Sequence, residues 1–560
     1  MAGAGLRRLN RLRYLPPGKL RGQLIQSALG PLYATRIYAS TLSGRGDGAI
    51  QPIRADAWPG EPARGREIAE GVFRLAGQSI REPAPLGRPV GSDEAWRLAF
   101  NSFAWLPDLM ALGAGAAPIA RAFVERWIAE NASWDSLAWR ADITGRRLSH
   151  WLAEPALLEV AGKVADKVEN RNRLFISANR QARHLARVLP GGLSGAPLLS
   201  AIKGLIYAGL ALTGGSKLLK IGLKQLSLAL PQQLLADGGH VERSPAVQLG
   251  ALRDLVDIRA SLHAAGHEPP GDLSLAIDHM APVLRMFQAG DGGLALFNDS
   301  NEGAAGSIDL TLLRANAKAR ALASAPQSGF QRLAGGAALL IVDAGVPAPP
   351  GHDSHAHAGT LSFEFCQGDQ RLIVNCGAQG AGGEWRLAQR ASAAHSTLTV
   401  DDTNSSMLMA DGSGLLRRPT IVACRREEAE GNSWLDMSHD GYQPQFGLTH
   451  HRRLFLAADG SDLRGHDRLE GKGGKHFAIR FHLHPQVVAN LAQDGQAVLL
   501  RLPGGAGFRL RSSGAEVSLA ESVYLGGSEM RRSQQVVLSG DLHGAGCDVK
   551  WALTRESKKK

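Results

Sequence analysis

At 560 residues the chain is too long for one ordinary core, so two or three domains are expected. Hydrophobic residues at 44% and charged residues at 21% give the balance of a soluble globular protein, and the 67 glycines and 27 prolines form no stretch long enough for a low-complexity linker. The net charge of +11 is concentrated in residues 1–50, where eight cations face Asp47 alone. This basic arm could touch anionic lipid, nucleic acid or an acidic polysaccharide, but a solvated leader docking on the first domain is the plainer expectation. No helix-turn-helix, zinc-finger or RNA-stacking signature accompanies it, so no nucleic-acid partner is expected.

The N-terminal charges are not followed by an apolar core segment, so no ordinary secretory signal is read and a cytoplasmic location is expected. Residues 51–330 carry helical spacing. Ser92-Asp93-Glu94 predicts an N-cap with first-turn acids ahead of Trp96, Leu98, Ala99, Phe103 and Leu106. Further helical segments follow from Ile119 to Phe287, separated by turn signals such as Pro190-Gly191-Gly192, Thr213-Gly214-Gly215 and Asp237-Gly238-Gly239. Leu198 to Leu212 is apolar, but it is short and interrupted by Lys203, which predicts a buried helix and no transmembrane segment. Tryptophans 58, 96, 105, 134, 139 and 151 concentrate in this half and are expected mainly to pack helices.

Near Gln327 to Gly336 the pattern changes. Short β-rich runs such as Ala338 to Val342, Leu361 to Phe365, Leu372 to Val374, Ser396 to Val400 and Phe477 to Leu483 lie between Gly, Asp and Asn. Many strands without intervening helices predict an antiparallel β-sandwich over residues 331–560. Cys366, Cys376, Cys424 and Cys547 have no CxxC spacing, and free, mostly buried thiols are expected. His450 and His451 are expected to be polar edge residues, and His482 and His484 to share a partly exposed strand face. No Gly-x-Ser-x-Gly elbow, P-loop or dinucleotide loop occurs, and no organic cofactor is expected.

The strongest site signal is Ser354-His355-Ala356-His357-Ala358-Gly359. Phe363-Glu364-Phe365, Leu372-Ile373-Val374-Asn375 and Ala393-Ala394-His395-Ser396-Thr397 follow it. On a strand, residues two apart share a face, so His355 and His357 are expected to point into one space, with Asn375 and His395 brought up by neighbouring strands. The order and spacing of these residues resemble the heparinase II/III family of polysaccharide lyases. A looser match is Asp237-Gly238-Gly239-His240-Val241-Glu242-Arg243-Ser244-Pro245. The resemblance implies an incomplete α/α toroid followed by the sandwich, with a substrate cleft between them.

By that resemblance His357, Asn375 and His395 stand at the positions of zinc ligands. Asn375 replaces the usual Asp, which weakens the donor set; hydrogen-bonding core residues without metal are the competing reading. Asp401 and Asp402 could serve as ligands or supports, but their spacing does not select them. His355 is the first choice for acid–base work, with His240, Glu242, Arg243 and His184 as further catalytic candidates. Two family features are missing or blurred: a Tyr shortly after Ser244-Pro245, and an intact Asn-His pair, to which the nearest material is Asn179-Arg180-Gln181 with His184 about one turn on. The leading expectation is a lyase that cleaves a uronic-acid-containing polysaccharide by β-elimination. A catalytically silent polysaccharide-binding module of the cell envelope is the alternative, and with it a periplasmic or envelope location. A cupin-like metal enzyme ranks last, because Glu364 comes too late after His357.

Overall fold

The computed structural model describes residues 15–43, 48–51, 53, 58–157, 164–318, 320–379, 384–492, 495–542, 544 and 546–556. Five cations of the basic arm, Arg7, Arg8, Arg11, Arg13 and Arg45, lie outside the described residues. The chain divides into two compact units, residues 1–233 with 250–277, and residues 234–249 with 278–560.

The first unit is helical: α1 (Pro17–Tyr33), α2 (Arg36–Leu42), α3 (Pro62–Ala69), α4 (Glu94–Asn101), α5 (Leu106–Met110), α6 (Ala117–Glu130), α7 (Ala141–Leu152), α8 (Val164–Val188), α9 (Gly195–Ala211) and α10 (Ser216–Gln233). A hairpin of β1 (Val72–Leu75) and β2 (Gln78–Arg81) precedes α4. The Asp93 carboxylate caps α4 by accepting the Trp96 N–H at 2.7 Å, and one turn apart Trp96 and Phe100 stack at 4.9 Å. They join Phe73, Trp105, Trp127 and Trp151 in an aromatic core. Arg147 is sealed inside it, 4.1 Å over Trp127, donating to Gln181 Oε1 and to the carbonyls of Asn101 and Ala138. Burial lowers this guanidinium to about 9. The lysine inside apolar α9 is accounted for by Asp254 and Asp257, whose carboxylates lie 2.9 and 2.6 Å from Lys203 Nζ. Among the described residues no helix is long and apolar enough to cross a membrane.

The second unit is the sandwich. It takes in the segment Leu234–Leu249, whose last residues open α11 (Pro245–Ala264), the end of α12 (Gly271–Met286), and α13 (Ala305–Ala315). One sheet contains β3 (Ser324–Ala325), β4 (Phe330–Gly335), β5 (Ala338–Asp343), β6 (Phe363–Gln367), β7 (Gln370–Val374), β8 (Leu398–Val400), β15 (His476–Leu483), β19 (Glu516–Tyr524) and β20 (Arg531–Asp541). A two-stranded ribbon pairs β9 (Met407–Leu408) with β10 (Leu415–Arg417), and the other large sheet runs β11 (Val422–Ala429), β12 (Asn432–His439), β13 (Thr449–Leu456), β14 (Asp462–Glu470), β21 (Cys547–Arg555), β18 (Gly507–Ser513), β17 (Ala497–Arg501) and β16 (Val488–Ala492). Every pairing is antiparallel, and strands such as β12 and β14 alternate buried with more exposed residues, as one-faced packing requires. Leucines and phenylalanines of both sheets form one core, in which Trp551 stacks on Phe363 at 5.8 Å. Gly465 makes room for that indole, because a Cβ there would stand 2.0 Å from Trp551.

Two strand-face expectations are overturned. β13 is an interior strand, so His450 is fully buried rather than an edge residue. His482 and His484 are likewise buried, the first against Ser522 and the Ala393 carbonyl, the second against the Tyr524 ring. The four thiols are free as expected, although Cys424 is exposed.

Candidate functional site

The His-x-His segment is not a strand. Residues 351–360 form turns and extended loop ahead of β6, starting after Pro349-Pro350 and closed by the Ala356 N–H to the Asp353 carbonyl at 3.1 Å. The loop is held by buried Arg390, whose Nε donates to the Ala356 carbonyl at 2.9 Å, and by Ser392 Oγ, which donates to the Ala358 carbonyl at 2.5 Å. His395 follows a single 3-10 turn at Ser392–Ala394, and Asn375 follows β7 directly. Gly359 lets the His395 ring approach, since a Cβ there would lie 2.6 Å from its Cδ2.

Although no strand face joins them, both histidines reach one carboxylate, Asp299. His355 Nδ1 lies 3.0 Å from Asp299 Oδ2 and His357 Nε2 lies 2.8 Å from Oδ1, with Arg386 Nη1 2.5 Å from the same Oδ1. The far side of His355 faces Glu242, Nε2 to Oε2 being 3.6 Å. The His355 side chain keeps 37% of its surface exposed, against 3% for Glu242, 8% for Asp299 and 2% for His357. His355 is therefore the imidazole of the cluster that solvent or a ligand can reach.

Asp299 was not legible as a site residue, nor were Arg386 and Arg390. Asn298 and Asp299 both adopt left-handed backbone, φ 49° and 59°, which Asn and Asp tolerate through their short polar side chains. The Asn298 side chain accepts from the His357 N–H at 3.0 Å and donates to the Arg243 carbonyl at 2.8 Å, which ties the two loops together. The sequence signal was Phe297-Asn298-Asp299-Ser300-Asn301, a polar run after an apolar one.

The charges are set by these contacts. Burial opposes ionisation of Asp299, but its hydrogen bonds and ion pairing with His355 and His357 hold the carboxyl well below its ordinary value. Burial would lower His355 too, but its hydrogen bond and ion pairing with Asp299, together with the charge of Glu242, outweigh it and raise its pKa. His357 and His395 are lowered, chiefly by burial, as is His240, to about 3.

The remaining candidates separate. His240 is buried in the segment that carries Glu242; its ring Nδ1 accepts the Glu242 N–H at 3.2 Å and holds that residue beside His355. Arg243 is committed elsewhere: Nη2 lies 2.5 Å from Asp343, Nε donates to the Ser328 carbonyl at 2.6 Å, and the guanidinium covers Phe330. His184 belongs to the helical unit, where Nδ1 meets the Tyr38 hydroxyl at 2.8 Å and the ring packs edge-on against Tyr33, Tyr38 and Trp139. Asp401 ties its own turn to the start of β15 by accepting the Lys475 and His476 N–H groups.

The zinc positions are adjacent, but their donors are occupied. His395 Nδ1 donates to the Ala391 carbonyl at 2.7 Å, so its Nε2 lone pair faces His357 Nδ1 at 3.0 Å; a proton on His357 Nδ1 bridges the two and leaves Nε2 of the neutral ring to accept the Asp299 backbone N–H at 2.9 Å. Asn375 Oδ1 already accepts the Ser396 N–H at 3.0 Å, and Nδ2 reaches toward buried Glu364 at 3.4 Å. With the Asn375 amide engaged, the two imidazoles alone fall short of the three protein ligands usual at a catalytic zinc. Among the described residues no three His, Cys, Asp or Glu side chains converge to hold an ion.

A helical unit followed by a two-sheet sandwich with a histidine cluster defines a protein with the fold of a polysaccharide lyase. Residues 317–552 match the family model described as heparinase II/III-like, C-terminal. The chain is 32% identical over 532 residues to FtsZ-localized protein C of Caulobacter vibrioides, covering 89% of each. It belongs to the heparinase II/III-like family. Among solved structures it resembles heparinase III, with a TM-score of 0.71 and 14% identity over 96% of this chain and 92% of the other. A mutant of heparan sulfate lyase HepC from Pedobacter heparinus superposes with a TM-score of 0.61 and 15% identity over 91% and 85%.

Proposed function

We propose that the chain cleaves a uronic-acid-containing polysaccharide by β-elimination, with His355 as the group that meets the substrate. The observation that carries this reading is the accessible imidazole held between two buried carboxylates, Asp299 and Glu242. Elimination needs the uronate carboxylate neutralised, the C5 proton removed and the leaving glycosidic oxygen protonated. Because Asp299 and Glu242 favour its protonated form, His355 suits the first and third tasks: it presents a cation to the carboxylate or gives its Nε2 proton to the departing oxygen. Asp299 positions His355 and balances its charge.

Incubating the purified chain with heparan sulfate, heparin, alginate and bacterial uronate polymers should release the absorbance of an unsaturated uronate. His355→Ala should reduce that rate about 10²-fold or more, with unfolding nearly unchanged. Silence of the folded wild type across this panel overturns the reading.

Glycan binding without turnover is the second reading. Its support is that Ala246 and Val247 follow Ser244-Pro245 where a Tyr is expected, and that a relative spanning nearly the whole chain is named for its location with FtsZ. Tight binding of one of these polymers with no product, unchanged in His355→Ala, distinguishes it.

A further inference from the structure

The helical unit contains a groove of about 730 Å³ between the C-terminal half of α8 and the start of α10. Its rim carries Arg183, Arg187 and Lys217, and its floor is made by Phe175, Leu218 and Ile221. Among the described residues no carboxylate lines it. Three cations line it, Arg183 and Arg187 of α8 and Lys217 of α10. Such a patch is invisible in a net charge that outside residues 1–50 is only +4.

The arginines are oriented rather than neutralised. Arg183 donates to the Ser43 carbonyl at 2.9 Å and to Asn179 Oδ1 at 3.2 Å; Arg187 donates to Thr41 Oγ1 at 2.7 Å and to the Thr41 carbonyl at 2.8 Å. All these acceptors are uncharged, so none of them offsets the charge of either guanidinium. Lys217 is exposed at the start of α10.

From this groove we infer a docking site for an acidic segment of a partner protein that also carries aliphatic side chains. The rim supplies charge complementarity to Asp and Glu, and the floor accepts Leu or Ile. The volume lies in the range of sites that enclose a few side chains. A saccharide is the poorer match, because the aromatic ring in the floor, Phe175, is itself buried and offers no open face for a sugar to stack on. The inference does not depend on the lyase reading.

The test uses the full chain and an array of fluorescein-labelled twelve-residue peptides alternating Asp or Glu with Leu or Ile. Binding is read by anisotropy. Tight binders should weaken about fivefold or more in Lys217→Glu, weaken with added salt, and fail when their Leu and Ile are replaced by Ser. His355→Ala should bind them as the wild type does, which separates this groove from the lyase site. The inference is overturned if no peptide binds more tightly than about 1 mM. It is equally overturned if Lys217→Glu changes nothing, or if heparin oligosaccharides or phosphatidylglycerol vesicles bind in a Lys217-dependent way while the peptides do not.

Discussion

The sandwich contains two clusters built from nearly the same parts. In one, His395, His357 and Asp299 form a chain of contacts at 3.0 and 2.8 Å, joined by Arg386 and His355. In the other, His439, His450 and Asp467 form a chain at 3.2 and 2.8 Å, joined by Arg452 at 2.7 Å and the Trp551 indole N–H at 2.9 Å. The first ends in an imidazole and a guanidinium that reach solvent, whereas in the second His450, Arg452 and Asp467 have no exposure at all. A histidine–carboxylate chain is therefore not a site by composition. Access at one end makes the first a candidate for chemistry, and complete enclosure makes the second part of the core. The enclosed cluster also supports the open one, because Arg452 Nη1 donates to the Leu361 and Ser396 carbonyls, and Ser396 follows His395.

Removing the central carboxylate of each cluster should give the largest contrast. Asp467→Ala leaves Arg452 charged and buried without its partner, and should cost about 3–5 kcal/mol or prevent folding. Asp299→Ala leaves Arg386 and His355 able to turn to water, so the stability loss should be about 1 kcal/mol. Urea unfolding of both variants checks this, and equal losses would erase the distinction drawn between the clusters.

Acid should act next. A histidine whose folded pKa lies below its ordinary value of about 6.5 contributes stability above that value, and loses it as pH falls toward the folded pKa. His240 is lowered to about 3 and His482 to about 4, chiefly by burial, so at pH 5 each should have given up about 2 kcal/mol. His357, His395, His439 and His450 are lowered too and add to the loss. Glu364 works the other way. Burial pushes it up to about 7, so acidification relieves its penalty and offsets roughly one of these histidines. His355, being raised, keeps its contribution at low pH and loses it as pH rises. The net expectation is a lower melting temperature at pH 5 than at pH 7.5, persisting in His355→Ala. A melting temperature that does not fall would contradict neutral burial of these rings.

The switch near residue 330 from helical spacing to short β-rich runs was legible because spacing, β-branched composition and turn residues survive in a single sequence, and so was His355-Ala356-His357. The enclosed cluster was not. His439, His450 and Asp467 sit on three consecutive strands, and only the register, His439 opposite His450 and Arg452 opposite Asp467, puts them together. Asp299 was missed for a different reason. It lies on a loop fixed by left-handed backbone, and propensity says where such a turn can form but not what it will face. The same limit turned His355 and His357 from an expected strand into a loop after two prolines, while leaving them at one carboxylate.

Metal content gives the finest comparison, and the smallest effect. The open cluster offers zinc two facing nitrogens and the oxygen of Asn375, while the Asp299 carboxylate is spent on the opposite edge of the His357 ring and on Arg386. With few, weak donors, the zinc that the family resemblance implies should be held loosely. Elemental analysis should find it well below one atom per chain after dialysis against a chelator, with a melting temperature close to that of protein supplied with zinc. His357→Ala should abolish whatever zinc remains. In the enclosed cluster the proton bridging His439 and His450 has no path of exchange for a metal ion, so variants there should leave the zinc content unchanged. Stoichiometric zinc that resists chelation would show that His357 and His395 share a cation rather than a proton, and that Asn375 gives up its bond from Ser396 to complete the coordination.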